Sequence, residues 1–185
     1  MHRRAIFWFR RDLRVEDNTG LYHAVKESEE VLPVFILDEN ILRKIIRENP
    51  RIGFLADAIL NLDKKLKSLG SFLLVLRGKP EEIFPDILNK YKMDAVYLNK
   101  AYSFEGIKRD KNIENICLKN DVAFKEFEDA LLVPPYKVEQ RKVFTPFYKL
   151  WLEIEKRTDL LNTNKINCSC AANNWREFSI PTPIP

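Results

Sequence analysis

Phe7-Trp8-Phe9-Arg10-Arg11-Asp12-Leu13-Arg14-Val15-Glu16-Asp17-Asn18 runs from unbroken apolar residues straight into a dense charge cluster. The junction reads as the end of a buried strand at Phe9 followed by a corner. Asp17 or Asn18 then caps a helix whose apolar positions include Leu21, Ala24 and Val25. Outward from this point the same kind of segment recurs. Residues 5–9, 31–37, 71–76, 95–98 and 122–127 are short, apolar and rich in β-branched and aromatic side chains. The first four are continuous runs, the pattern of strands buried on both faces of a parallel sheet.

Helical periodicity fills the intervals. Leu55, Ala58, Ile59, Leu62, Leu66 and Leu69 recur every three or four residues, and Gly70 follows as a stop. Pro80 opens a second apolar stripe through Ile83, Phe84, Ile87, Leu88 and Tyr91. Strands alternating with helices predict a Rossmann-like, doubly wound α/β domain: a five-stranded parallel sheet with helices on both faces. Thr145-Pro146 is expected to cap and open a last helix, on which Phe147, Leu150, Trp151 and Ile154 form a packing stripe. We expect the domain over residues 1–157. Residues 158–185, rich in Asn and ending Ile180-Pro181-Thr182-Pro183-Ile184-Pro185, read as an interdomain linker.

Composition narrows the function classes. With 45% hydrophobic and 31% charged residues, the 185-residue chain is an ordinary globular protein without a membrane-length apolar run. A net charge of +4 describes a solvated surface, not a nucleic-acid footprint. The amino terminus lacks the pattern of a secretory signal, which points to the cytoplasm. Cys117, Cys168 and Cys170 are then expected as reduced thiols, and Cys168-Ser169-Cys170 would need further ligands to hold a metal. No Gly-x-Gly-x-x-Gly or Walker loop is present, and His2 and His23 fit no nucleophilic triad.

Two segments carry a resemblance. Residues 7–18 are similar to the amino-terminal signature of the photolyase/cryptochrome family, and Val143-Phe144-Thr145-Pro146-Phe147-Tyr148-Lys149-Leu150-Trp151 resembles the segment near the end of that family's antenna domain. The resemblance implies a light-harvesting, chromophore-binding domain of a DNA repair photolyase. The larger helical domain of such a protein would carry the catalytic FAD and meet damaged DNA. By itself the chain would then not repair DNA. It also implies that the first and fourth strands are neighbours, so that ligands enter at their carboxyl ends. A cryptochrome-type photoreceptor domain and an unrelated nucleotide-binding α/β module are the alternatives.

Candidate ligand residues follow. Arg10 is the first residue after its strand, where a guanidinium grips a phosphate, stacks on a ring or fixes the corner; Asp12, Arg14 and Asp17 read as a charge network for that corner. Asn49-Pro50-Arg51 opens the long helix with free amides and a full charge, and the resemblance places an arginine that contacts the chromophore at Arg51. Phe35 and Leu37 share one face of the second strand, as core or as the apolar wall of a flat cofactor; Asp38 ends that strand. Phe9 and Leu55 complete the apolar set. After the fourth strand come Ala101, Phe104 and Glu105. Flavin- and deazaflavin-binding members of the family commonly carry an acidic residue at Ala101 and Pro-Tyr at Phe104-Glu105, while folate-binding members commonly carry an acidic residue at Gly106. Neither pattern is met. The resemblance therefore implies a deazaflavin, FMN or FAD antenna in preference to folate, with an empty crevice as the alternative.

Overall fold

The computed structural model describes residues 1–43 and 49–168. Five strands, β1 (His2–Phe9), β2 (Ser28–Asp38), β3 (Leu74–Gly78), β4 (Ala95–Asn99) and β5 (Ala123–Phe127), form one all-parallel sheet in the order β3-β2-β1-β4-β5. β1 lies at the centre, with Phe9 opposite Phe35 of β2 and Phe7 opposite Tyr97 of β4. The winding reverses between β1 and β4, which makes their carboxyl ends the topological switch point. This is the predicted Rossmann-like α/β fold.

Side-chain alternation divides the core into two layers. Ile6, Trp8, Val34, Ile36, Leu74, Val96 and Leu98 pack on one side against Phe84, Ile87 and Leu88 of α4 (Pro80–Tyr91) and Ile113 and Cys117 of α5 (Phe104–Lys119). Phe7, Phe9, Phe35, Leu37, Val75 and Tyr97 pack on the other, against Leu21 and Ala24 of α1 (Thr19–Glu27) and Ile59, Leu62 and Leu66 of α3 (Pro50–Ser68). Asn18 caps α1 through Leu21 N–H, and Asn49 caps α3 through Arg51 N–H with Pro50 in the first turn. Gly70 adopts φ +85° after α3, a left-handed stop that suits glycine. Between β2 and α3 lies the short α2 (Glu39–Leu42).

Two boundaries differ from the sequence reading. The third strand starts at Leu74, because residues 71–73 carry the chain from the α3 stop into the sheet. The last helix, α6 (Phe144–Glu153), begins one residue before Thr145, with Val143 at its cap position and no side-chain cap. The chain then returns to the domain. Arg157 pairs with Asp17 at 2.7 Å, Asp17 N–H donates to the Leu161 carbonyl, Ile166 N–H to that of Leu69, and Val31 N–H to that of Asn167. Ile166 and Cys168 are buried. Residues 158–168 thus lie against the β2 side of the body, whereas Cys170 and the proline-rich end fall outside the described residues.

One edge of the sheet carries a charge cluster. Glu27, the last residue of α1, accepts hydrogen bonds from Lys125 (2.6 Å) and the Tyr97 hydroxyl (3.0 Å), and its carboxylate pairs with His23 (2.9 Å). Burial alone would push this carboxyl up, but the bonds from Lys125, His23 and Tyr97 outweigh it and hold its pKa at about 2, against an ordinary 4.5. A carboxylate whose pKa is depressed by folding stabilises the fold fully above its unfolded pKa and loses that stabilisation as pH falls towards the folded one. Glu27→Gln is therefore expected to cost about 1 kcal/mol at pH 7, allowing for partial solvent screening. The difference from the parent should shrink between pH 4.5 and 2, as read by urea unfolding across that window. A pH-independent difference would remove Glu27 from the account of acid stability.

Candidate functional site

The loops that leave β1 and β4 at the switch point are stitched together. Asn99, the last residue of β4, donates from its side-chain amide to Asp12 (2.5 Å) and Asn18 (2.8 Å), and its side-chain oxygen accepts the Gly20 N–H (2.8 Å). Asp12 also accepts the Arg10 N–H, and the Asn18 amide donates to the Arg14 carbonyl. A Cβ at Gly20 would stand 2.6 Å from the Asn99 oxygen and 2.9 Å from the Phe7 ring, so glycine is needed for α1 to approach this closely. Arg14 pairs with Asp129, which also accepts the Thr19 N–H and hydroxyl. Asp12 and Arg14 thus fix the corner, and Asp17 serves it by holding Arg157 and Leu161.

Arg10 has a distant partner. Its guanidinium contacts both carboxylate oxygens of Asp110 on α5 at 2.5 Å and lies 5.3 Å above the Trp8 ring. Arg109 shares Asp110 (3.1 Å) and lies 4.9 Å above the same ring. Burial, reinforced by the charge of Arg10, pulls Arg109 below the usual guanidinium range. Burial likewise raises Glu126 of β5, with Asp110 repelling its charged form. The whole cluster sits on the α4/α5 side of the sheet, because Arg10 shares the parity of Trp8. Glu128 stitches the next loop by accepting bonds from Lys100 (3.3 Å), Tyr136 (2.9 Å) and Tyr102.

All ten candidate residues lie at the carboxyl end of the sheet, in three environments. Phe9, Phe35 and Leu37 are buried in the α1/α3 layer, on the opposite side from the Arg10 guanidinium. Arg10 is engaged by Asp110. The rim holds Asp38, whose carboxylate caps Asn40 N–H, half-buried Leu55 and Ala101, and exposed Arg51, Phe104 and Glu105. Exposed Ile41, Phe54 and Ile107 join this rim and were missed. Phe54 falls off the stripe through Leu55, Ile59 and Leu62, a signal that was present in the sequence. Gly106 adds a steric fact: a Cβ there would stand 2.7 Å from that of Ala101 and 2.8 Å from the Ser103 hydroxyl, leaving no room for an acidic side chain on this backbone.

The DNA photolyase family matches residues 5–165 of the chain. The chain belongs to that family. It is 33% identical over 161 residues to the deoxyribodipyrimidine photo-lyase of Alkalihalophilus pseudofirmus, which covers 82% of this chain and 33% of that protein. It is 39% identical over 109 residues to the chloroplastic/mitochondrial cryptochrome DASH of Arabidopsis thaliana, covering 56% of this chain and 19% of that one. Among solved structures it is similar to the archaeal photolyase of Sulfolobus tokodaii, described with two FAD molecules and an implied novel light-harvesting cofactor. That similarity has a TM-score of 0.78 and 33% identity, over 98% of this chain and 43% of the other. The chain thus spans about a third of the length of the photo-lyase it matches. Among the described residues no helix is long and apolar enough to cross a membrane, and no three His, Cys, Asp or Glu side chains are grouped to hold a metal ion.

Proposed function

We propose that this chain is the antenna domain of a photolyase-like protein and that the rim at the carboxyl ends of β1, β2 and β4 holds a chromophore of the flavin or deazaflavin class. The observation that carries the reading is the similarity, across nearly the whole chain, to a photolyase described with two FAD molecules and a light-harvesting cofactor. The rim has the donor set for such a molecule. Arg51 offers an unshared guanidinium beside the amides of the first turn of α3, suited to a phosphate. Ile41, Phe54, Leu55 and Phe104 offer apolar surface to a flat ring system. Folate is disfavoured by the absence of space for an acidic side chain at Gly106.

When bound, such a pigment absorbs light and passes excitation energy onward; the chain's own residues bind, orient and shield it. The catalytic FAD and the contacts to damaged DNA belong, in this reading, to a further domain beyond residues 158–185, and residues 1–157 alone do not repair DNA. A cryptochrome-type photoreceptor domain is the second reading, favoured by the identity to cryptochrome DASH.

Titration of flavin mononucleotide by fluorescence quenching tests the site. Removal of a charge-assisted contact costs about 1.5 to 3 kcal/mol, so Arg51→Ala is expected to weaken binding by about tenfold or more. Lys64→Ala, exposed further along the same helix, should leave it unchanged. Equal affinity of the parent and Arg51→Ala would take Arg51 out of the site, and no binding by the parent would favour the empty crevice.

A further inference from the structure

α6 has no buried residue, although seven of its ten positions from Phe144 to Glu153 are apolar, aromatic or proline. Its inner side, Phe147, Leu150 and Trp151, is half-buried against the chain. Its outer side is an open stripe: Phe144, Tyr148 and Leu152 are 73%, 44% and 51% exposed and recur at i, i+4 and i+8. The rings of Phe144, Tyr148 and Trp151 stack in series at 5.7 and 6.2 Å, which holds the stripe in one arrangement before any partner arrives.

The stripe is symmetric about Tyr148. Phe144 and Leu152 stand four residues to either side. Charge follows the opposite rule and changes sign across the centre. On the amino flank Arg141 is matched by Glu139 at 2.5 Å, leaving the charge of Lys142. On the carboxyl flank Lys156 donates to the carbonyls of Trp151, Leu152 and Ile154 and lies 4.2 Å above the Trp151 ring, while Glu153 and Glu155 leave an acidic end. A partner that fits this pattern must present an apolar stripe of the same length with the opposite order of charge. The same helix turned end for end does so.

We propose that the chain associates through α6 with a second copy of itself, the two helices antiparallel about a two-fold axis at Tyr148. Each Phe144 then meets the partner's Leu152, the two Tyr148 rings meet at the axis, and each Lys142 faces the partner's Glu153 and Glu155. Such a contact is isologous and closes at two subunits. A ten-residue helix is about 15 Å long, so the contact falls short of a standard-size interface and the dimer is weak, dissociating in the micromolar range. The inference is independent of any chromophore.

Sedimentation velocity of the 185-residue chain at low salt, from about 1 to 200 μM, tests it. A monomer–dimer equilibrium is expected, and Tyr148→Glu, which sets two carboxylates face to face on the axis, should raise the dissociation constant by about tenfold or more. Because Tyr148 is exposed, the unfolding midpoint of that variant should match the parent. Lys142→Glu alone should weaken the dimer, and adding Glu155→Lys should restore it, since the reversed charges again meet as opposites. A monomer throughout the range, as expected if α6 instead seats a further domain, would overturn the proposal. So would association that grows past two copies, a dimer indifferent to Tyr148→Glu, or a double charge reversal that fails to restore the single one.

Discussion

Asp110→Ala is expected to destabilise the fold by about 3 to 5 kcal/mol, the cost of leaving buried charge without its counter-ion. Asp110 is 3% exposed, and it is the carboxylate that both Arg10 and Arg109 contact. Two guanidiniums face one another across the Trp8 ring, and Arg109 is already pulled down by burial and by the charge of Arg10. Without Asp110 their repulsion is uncompensated in a layer that water reaches poorly. Asp110→Asn keeps the shape and two polar atoms but loses the charge, so an intermediate loss is expected. Glu114→Ala, exposed one turn further along α5, should stay within about 0.5 kcal/mol of the parent. Denaturant unfolding followed by circular dichroism measures all three. A parent-like midpoint for Asp110→Ala would show that the arginines find other partners, and Arg10 would then regain its standing as a ligand residue.

That result would also bear on what the sequence disclosed. The strands were legible because a strand buried on both faces must be apolar at every position, and residues 5–9, 31–37 and 95–98 have no other use for such runs. Helix ends were legible where chemistry is local: Asn49-Pro50 at the start of α3 and Gly70 at its end act within a few residues of themselves. What stayed hidden depends on distant partners. Arg10 meets Asp110 a hundred residues later, and only the register of β1 shows that its guanidinium turns to the α4/α5 side while Phe35 and Leu37 turn to the other. Asn99 looked like the start of a loop because its value lies in Asp12, Asn18 and Gly20. The return of residues 158–168 was equally silent, since one apolar anchor, Ile166, and a few backbone hydrogen bonds leave no periodic mark. At the rim, the charged and apolar candidates Arg51, Leu55 and Phe104 were found by position after a strand or at a helix start. Phe54 was overlooked because exposed aromatic residues on a helix carry no period of their own.

The same long-range logic makes Asn99 the position where the corner is most easily broken. Asn99→Ala removes in one step the acceptor for the buried Gly20 N–H and the donors to Asp12 and Asn18. A buried polar group left without its partner costs about 1 to 3 kcal/mol, and the close approach of α1 at Gly20 gives water little room to replace the lost oxygen. A loss of about 3 kcal/mol or more is therefore expected in the unfolding free energy. Asn99→Asp separates the two sides of the amide. It retains an acceptor for Gly20 but sets a second carboxylate where Asp12 lies at 2.5 Å, so it should be no better than alanine near neutral pH and should recover as acid protonates one of the pair. Asn112→Ala, on the exposed side of α5, serves as the control and should be neutral. If Asn99→Asp proved as stable as the parent at pH 7, the amide's bond to Asp12 would be dispensable, and the Gly20 contact alone would hold α1 against the switch point.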